Sequence, residues 1–140
     1  NKLPDFVKSR VNGALVNDTP IVVAYVDANG YPRVSLRGSV QAYSDTQLSI
    51  WVRASTTGMA VAIASNPHVE LLYSDNPSRS TLIFKGKARV EADESIRKQI
   101  YDDSPEVEQN HESWANGAAI IIDLSEVSGA TPDGRVRMEA

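Results

Sequence analysis

The amino-acid sequence predicts a mainly β domain of the α+β class, in which an antiparallel β-barrel is flanked by peripheral helices. Six segments carry strand signals and three carry helix signals, in the order helix, three strands, helix, two strands, helix, strand. Short turns join most of the strands, which favours antiparallel pairing. The strands are too numerous for a flat two-layer sandwich of 140 residues, and this length fits one domain spanning residues 1–140.

Three segments carry the helix signals. Residues 4–16 place apolar side chains at the spacing of an amphipathic helix. Residues 57–65 are rich in alanine, and Pro67 follows them closely enough to end a helix. Residues 93–102 begin with Asp93, whose carboxylate is a favourable N-cap.

The strand signals begin on either side of a tight turn. Asn29-Gly30 tolerates positive φ at both positions, so it predicts a hairpin between strand 20–27 and strand 32–43. The run 117–127 is almost continuously apolar, which is typical of a strand buried on both faces. The remaining strands are predicted at residues 47–53, 69–74 and 80–91.

Two stretches give little signal for regular structure. Residues 104–116 are polar apart from Trp114, and we expect them to form solvated surface, with Glu106 and Glu108 among the exposed carboxylates. We expect the last ten residues to be loosely held.

Composition excludes several classes of function. The net charge of −4 argues against a nucleic-acid partner, since nucleic-acid binders carry a basic surface. No apolar run approaches the roughly 20 residues of a membrane span, so no membrane partner is expected. The absence of cysteine fits a cytoplasmic protein and removes thiolate chemistry. His68 and His111 lack partners at metal-ligand or catalytic spacing, so we assign no metal and no catalytic residue.

A polar, cationic stripe lies along the predicted strand 32–43. Because side chains alternate in a strand, Arg33, Ser35, Arg37 and Ser39 share one face and Val34, Leu36, Gly38 and Val40 share the other. If strand 47–53 pairs beside it, its own polar face brings Trp51 and Arg53 near Arg37. The stripe is then either the solvated outside of the barrel or a surface covered by a flat ligand or a second subunit, and Trp51 favours the second reading.

The start of the helix 57–65 carries small and hydroxyl-bearing residues. The first N–H groups of a helix have no internal partners, so Thr56, Thr57 and Gly58 allow an anion to approach closely. Arg53 or Arg37 would supply the counter-charge. Ordinary N-capping by threonine is the alternative reading of the same residues.

Three stretches together resemble a known family, the flavin-binding split barrels related to pyridoxamine 5′-phosphate oxidase. They are "GYPRVSLRGSV", "LSIWVRASTTGMAVAIASNPHVELLYSD" and "RSTLIFKGKARVEA", and the likeness covers about residues 3–128. The resemblance implies a split antiparallel barrel, a homodimer, and an FMN cofactor at the subunit interface. Within that pattern the first strand lies along the flavin, the end of the next strand meets the ring, the following loop and helix start hold the phosphate, and a later polar residue also reaches the cofactor. With Arg53 added as a counter-charge, the candidate cofactor-binding residues are Arg33, Val34, Ser35, Leu36, Arg37, Trp51, Val52, Arg53, Ser55, Thr56, Thr57, Gly58, Met59 and Thr81.

The phosphate loop departs from the family pattern. Where strong FMN binders carry Ser-Arg-Lys, this chain has Thr57-Gly58-Met59, and losing two charged hydrogen bonds costs about 1.5–3 kcal/mol each. We therefore expect an FMN-binding oxidoreductase of unknown substrate in which FMN binds weakly, or in which a deazaflavin coenzyme or a haem-related ligand replaces it. The alternative from another class is a non-catalytic protein that binds or senses a cofactor. The reduced C-terminal part makes pyridoxamine 5′-phosphate oxidase activity itself an unexpected outcome.

Overall fold

An antiparallel sheet of eight strands surrounded by four helices is the architecture of the computed structural model, which describes all residues from Asn1 to Ala140. A short 3₁₀ turn precedes the last helix. None of the helices is long and apolar enough to cross a membrane. The helices are α1 (Asp5–Asn12), α2 (Gly58–Ser65), α3 (Glu94–Asp103) and α4 (His111–Asn116), and the 3₁₀ turn is Glu106–Glu108. The strands are β1 (Ile21–Val26), β2 (Pro32–Arg37), β3 (Gln41–Ser44), β4 (Gln47–Val52), β5 (His68–Asp75), β6 (Ser80–Glu91), β7 (Ala118–Thr131) and β8 (Gly134–Glu139).

The order of the strands forces the sheet to curl. The order is β2-β1-β5-β6-β7-β4-β3, and β8 pairs with the second half of β7. A flat sheet would hold its two edge strands, β2 and β3, about 29 Å apart. The chain runs from Arg37 in β2 to Gln41 in β3 through only three residues, which span about 14 Å at most. The two edges therefore approach each other without pairing, and the predicted split barrel is confirmed.

Alternating burial along β7 links two clusters of apolar side chains. Ile120 and Ile122 point into the main core, which the sheet encloses with α1 and α2. Ala119 and Ile121 point to the opposite face and join a smaller cluster under α3. The first half of β7 is thus buried on both faces, as its apolar run predicted, whereas Asp123 is exposed.

The prediction of one continuous strand over 32–43 is wrong. The chain leaves β2 after Arg37 and crosses to the other edge of the sheet through residues 38–40. The two faces of β2 are as predicted, but their environments differ from the expectation of an outward polar stripe. Ser35 pairs with Val23 of β1, whose side chain is in the core, so the polar face of β2 borders the core. Val34 and Leu36 face outward and are 73% and 65% exposed.

Strand pairing corrects a second expectation. β4 lies between β3 and β7, so Trp51 pairs with Ala119 rather than with the arginine strand β2. Residues 38–40 nevertheless bring the end of β2 to the end of β4. Arg37 and Trp51 therefore lie near each other, as predicted, across the gap between the two unpaired edges of the sheet, which we call the seam.

The carboxyl-terminal residues form regular structure, contrary to the prediction of a loosely held end. β7 continues to Thr131, and β8 returns along it as a hairpin partner. Gly134 has a φ of 155°, which glycine adopts without strain. The turn sequence "TPDG" at residues 131–134 is the signal in the sequence that indicates this hairpin. The amino-terminal helix is shorter than the predicted range 4–16. It ends at Asn12, and turns occupy the residues that follow.

A serine hydroxyl in the connection between β2 and β3 binds the backbone at the end of β4. Ser39 is buried, and its Oγ donates to the carbonyl of Trp51 at 2.7 Å and accepts from the N–H of Trp51 at 3.2 Å. β3 does not extend as far as Trp51, because its pairing with β4 reaches only Ser49. The Ser39 side chain therefore satisfies two backbone groups that a longer β3 would have bonded.

We expect Ser39→Ala to lower the free energy of unfolding by about 2 kcal/mol, because the change leaves a buried N–H and a buried carbonyl without partners. Urea titration followed by circular dichroism measures the loss. Ser125→Ala is the matched control, since the Ser125 hydroxyl is exposed where it donates to the carbonyl of Lys85. Equal stability of the two variants would contradict the role assigned to Ser39.

Candidate functional site

A cleft opens at the seam of the barrel, where β2, β4 and α2 come together. Its volume is about 320 Å³. The end of β2, the connecting residues, the end of β4 and the start of α2 form its walls, and one carboxylate from the 3₁₀ turn reaches it. Its lining residues are Leu36, Arg37, Gly38, Ser39, Trp51, Val52, Arg53, Ala54, Thr57, Gly58, Met59 and Glu108.

Arg37 carries an uncompensated charge into this cleft. Its Nε is buried and has no hydrogen-bond partner, and none of the ion pairs in the chain includes it. Two positions earlier on the same face, the Oγ of Ser35 is also buried without a partner. Unsatisfied buried donors are costly, so they mark places where a ligand oxygen would be stabilised.

The amino terminus of α2 faces the same cleft with its amides open. Thr57 is the N-cap residue, but its side chain makes no capping hydrogen bond, so plain threonine capping is not what the structure contains. By contrast, Asp93 and Asn110 cap α3 and α4 through their side chains. Gly58 has a φ of 59°, and a Cβ added there would meet no atom within 4 Å. The first turn of α2 is therefore accessible to a ligand, and its N–H groups favour an anion.

Arg53, the other predicted counter-charge, is already paired. Its Nε donates to Glu108 Oε2 at 2.6 Å, and its Nη2 donates to the carbonyl of Val107 at 3.3 Å. The hydrogen bond to Glu108 raises the pKa of the Arg53 guanidinium above its ordinary value. The expectation that Glu108 lies on solvated surface is wrong, because its side chain is only 18% exposed and lines the cleft.

The ring of Trp51 does not face a ligand, contrary to the expectation that a flat molecule would cover it. It is 1% exposed, because α3 and α4 pack over that face of β4. Trp114 stacks on it at 6.0 Å between centroids, and Tyr101 meets it edge-on at 5.0 Å. Its Nε1 donates to Ser113 Oγ at 2.5 Å. The ring is covered, but by helices of the same chain and not by the flat ligand or second subunit that we expected.

Val52 and Met59 also line the cleft while their side chains belong to the main core. Their side chains therefore offer a ligand little, and the N–H and carbonyl of Trp51 are already bonded to the Ser39 hydroxyl. A neighbouring cleft of about 290 Å³ shares Thr57 and Gly58 with the first one. Arg33 lines it, with its side chain 61% exposed and 4.0 Å from Asp27.

Several predicted site residues lie outside both clefts. Ser55 and Thr56 are exposed in the loop before α2, and Val34 faces outward from β2. Thr81 is on β6, where it pairs with Ser74 and Ala130 and shares its outward face with Ile83. The structure does not bring Thr81 to the cleft within one chain.

Sequence reasoning missed four lining residues: Gly38, Ser39, Ala54 and Glu108. The signal for Gly38 and Ser39 was the glycine inside a supposed strand, which often marks an interruption. Nothing in the sequence links Glu108 to Arg53, since 55 positions separate them. No group of three or more His, Asp or Glu side chains lies close enough to hold a metal ion.

Comparison with known proteins finds solved structures that share this fold. Neither a family model nor a curated protein matches the sequence. Solved structures do match, and the match covers most of this chain and most of theirs. General Stress Protein 26 from Bacillus anthracis has a TM-score of 0.68 at 16% identity, with 94% of this chain and 98% of that chain covered.

Two further structures have names that mention a cofactor. A pyridoxamine 5′-phosphate oxidase-related, FMN-binding protein from Nostoc punctiforme has a TM-score of 0.65 at 15% identity, covering 91% of this chain and 83% of that one. An F420 reductase has a TM-score of 0.64 at 18% identity, covering 90% and 98%. The chain therefore has the split-barrel fold of these proteins. At such identities the likeness defines the fold, and the ligand has to be argued from the cleft.

Proposed function

We propose that the chain is a flavin-type oxidoreductase of the pyridoxamine 5′-phosphate oxidase-like group, which binds FMN or a deazaflavin coenzyme in the cleft at the barrel seam. The observation that carries the proposal is the unpaired Arg37 guanidinium, which faces the cleft beside the uncapped start of α2. One wall thus offers a free cation and open amides, which suits a planar molecule with an anionic tail. The names of the FMN-binding and F420-reducing structures support the same ligand class.

The residues present fit such a ligand in a specific way. The amides around Gly58 would receive the phosphate, and Arg37 would neutralise its charge or that of the polar edge of the ring. Gly58 lets the phosphate approach the backbone because no side chain occupies that space. The backbone beyond the end of β4, at Arg53 and Ala54, would bond the ring edge, since both residues line the cleft and Val52 is paired with Ala118 of β7.

When bound, a flavin or deazaflavin supplies hydride-transfer chemistry. The contribution of the chain is to orient the ring against the seam, to balance its charge through Arg37, and to keep water from the side of the cleft closed by Ser39 and Trp51. We assign no side chain to proton transfer, because the cleft holds no carboxylate or imidazole free of a partner.

The cations missing from the phosphate loop lower the expected affinity. Met59 is 1% exposed in the core, so it offers the phosphate nothing but its amide. The Arg53 charge is shared with Glu108. These features favour the second candidate, a protein that binds a cofactor without turning over a substrate.

We expect FMN to bind to the purified protein and Arg37→Ala to weaken binding about tenfold or more, because the change removes the free cation of the cleft. Quenching of flavin fluorescence during titration measures both affinities. Lys98→Ala is the charge-matched control, since Lys98 lies on α3 and pairs with Asp102. Reduction of the bound flavin by a nicotinamide cofactor supports the oxidoreductase, and stable binding without reduction supports the non-catalytic candidate. Failure of both FMN and the deazaflavin coenzyme to bind would refute the proposal.

We infer that the second subunit of the proposed homodimer covers the outward face of β1, β2, β5 and β6. Leu36 and Val22 are cross-strand partners there, and Val22 pairs in turn with Leu72, whose partner on β6 is Ile83. These apolar side chains form a continuous row that a single chain leaves partly open to water. Leu36 also lines the cleft, so a copy seated on this row would lie against the cofactor site.

We expect the wild-type chain to sediment as a dimer and Leu72→Lys to sediment as a monomer, because a charge in the middle of the row cannot be buried without a partner. Analytical ultracentrifugation measures the masses. Val16→Lys is the control, since Val16 is 90% exposed in the loop after α1. A Leu72→Lys variant that remains dimeric places the interface elsewhere.

A further inference from the structure

Glu108 is the one carboxylate that lines the cleft. It lies 55 positions from its partner, Arg53, and reaches the cleft from the 3₁₀ turn Glu106–Glu108. The distance of 2.6 Å from Arg53 Nε to Glu108 Oε2 is that of a charge-assisted hydrogen bond. The Glu108 side chain is largely covered, whereas that of Arg53 is 60% exposed.

The turn that carries Glu108 is fixed at its base. Gln109 donates through Nε2 to the carbonyls of Asp102 and Ser104, and the hydroxyl of Tyr101 donates to the carbonyl of Asn110. These bonds tie the turn to the end of α3. The hydrogen bonds from the turn itself toward the end of β4 are made by Arg53, which bonds both the side chain of Glu108 and the carbonyl of Val107. The turn is therefore anchored to α3, and Arg53 joins it to the end of β4.

This arrangement has a consequence for any anion that enters the cleft. A phosphate near the start of α2 would be attracted by Arg37 and Arg53 and repelled by Glu108, which accepts the Nε hydrogen bond of Arg53. A phosphate that approaches Arg53 finds free donors on its Nη atoms, but on a guanidinium whose charge Glu108 already neutralises. A ligand without an anionic tail meets no such competition.

We propose that Glu108 is a specificity-determining residue of the cleft, which competes with an anionic ligand tail for Arg53 and so lowers the affinity for phosphorylated ligands. The inference rests on the proposed function, because it concerns the same cleft. The tail and the Glu108 carboxylate share the charge of one guanidinium, so a bound anionic tail would weaken the hydrogen bond between Arg53 and Glu108.

The test compares FMN with riboflavin, which has the same ring without the phosphate. We expect Glu108→Gln to raise the affinity for FMN about fivefold, which corresponds to the upper end of the range for an exposed ion pair. The affinity for riboflavin should change by less than about twofold, since no anion then competes for Arg53. Glu106→Gln is the matched control, because it removes the same charge from the same turn at an exposed position outside the cleft.

Repeating the Glu108→Gln change in Arg53→Gln protein separates an effect that acts through Arg53 from the effect of removing one negative charge near the cleft. In Arg53→Gln protein, the further change Glu108→Gln should give less than half of the gain seen in the wild type, as a double-mutant cycle measures. Equal FMN affinities of wild type and Glu108→Gln would overturn the inference and leave the proposed function standing, and so would an equal gain for riboflavin. If none of these proteins binds FMN or riboflavin, the inference is overturned, and the proposed function is refuted only if the deazaflavin coenzyme also fails to bind.

Discussion

The two hydrogen bonds between the Ser39 hydroxyl and the backbone of Trp51 are the constraint on which the site depends. The edge strands β2 and β3 are consecutive in the chain and lie at opposite ends of the sheet order, so the sheet must curl until three residues bridge its edges. No ladder closes that gap. Ser39 supplies the missing bonds to β4, and it thereby fixes the ends of β2 and β4 beside each other. The cleft exists because the barrel is left open at this place.

The electrostatics of the cleft depend on an asymmetry between two arginines. Arg37 is partly buried and has no partner, so its charge is available to a ligand. Arg53 is more exposed and is paired with Glu108, so much of its charge is already neutralised by the chain itself. A loop rich in cations would bind any phosphate, whereas this arrangement makes the affinity depend on how well the ligand competes with a carboxylate of the chain itself. Weak FMN binding would then reflect Glu108 as much as the missing cations at Gly58 and Met59.

Local signals in the sequence predicted most of the fold, and long-range packing decided the rest. Asn29-Gly30 gave the first hairpin and Asp93 gave the start of α3, because both signals act within a few residues. Alternation separated the two faces of β2 correctly but could not tell which face borders the core, since that depends on the crossing at residues 38–40. The cover of Trp51 by α4 and the reach of Glu108 to Arg53 are contacts between distant segments, and a single sequence carries no sign of either.

The central claim is that a planar ligand with an anionic tail binds between the seam and the start of α2. Amide chemical shifts of the isotopically labelled protein, followed by NMR during titration with FMN, test it directly. We expect the largest shifts at Gly38, Val52, Gly58 and Met59, which surround the cleft. Shifts concentrated instead on α3 and β6, with these four amides unchanged, would contradict the claim.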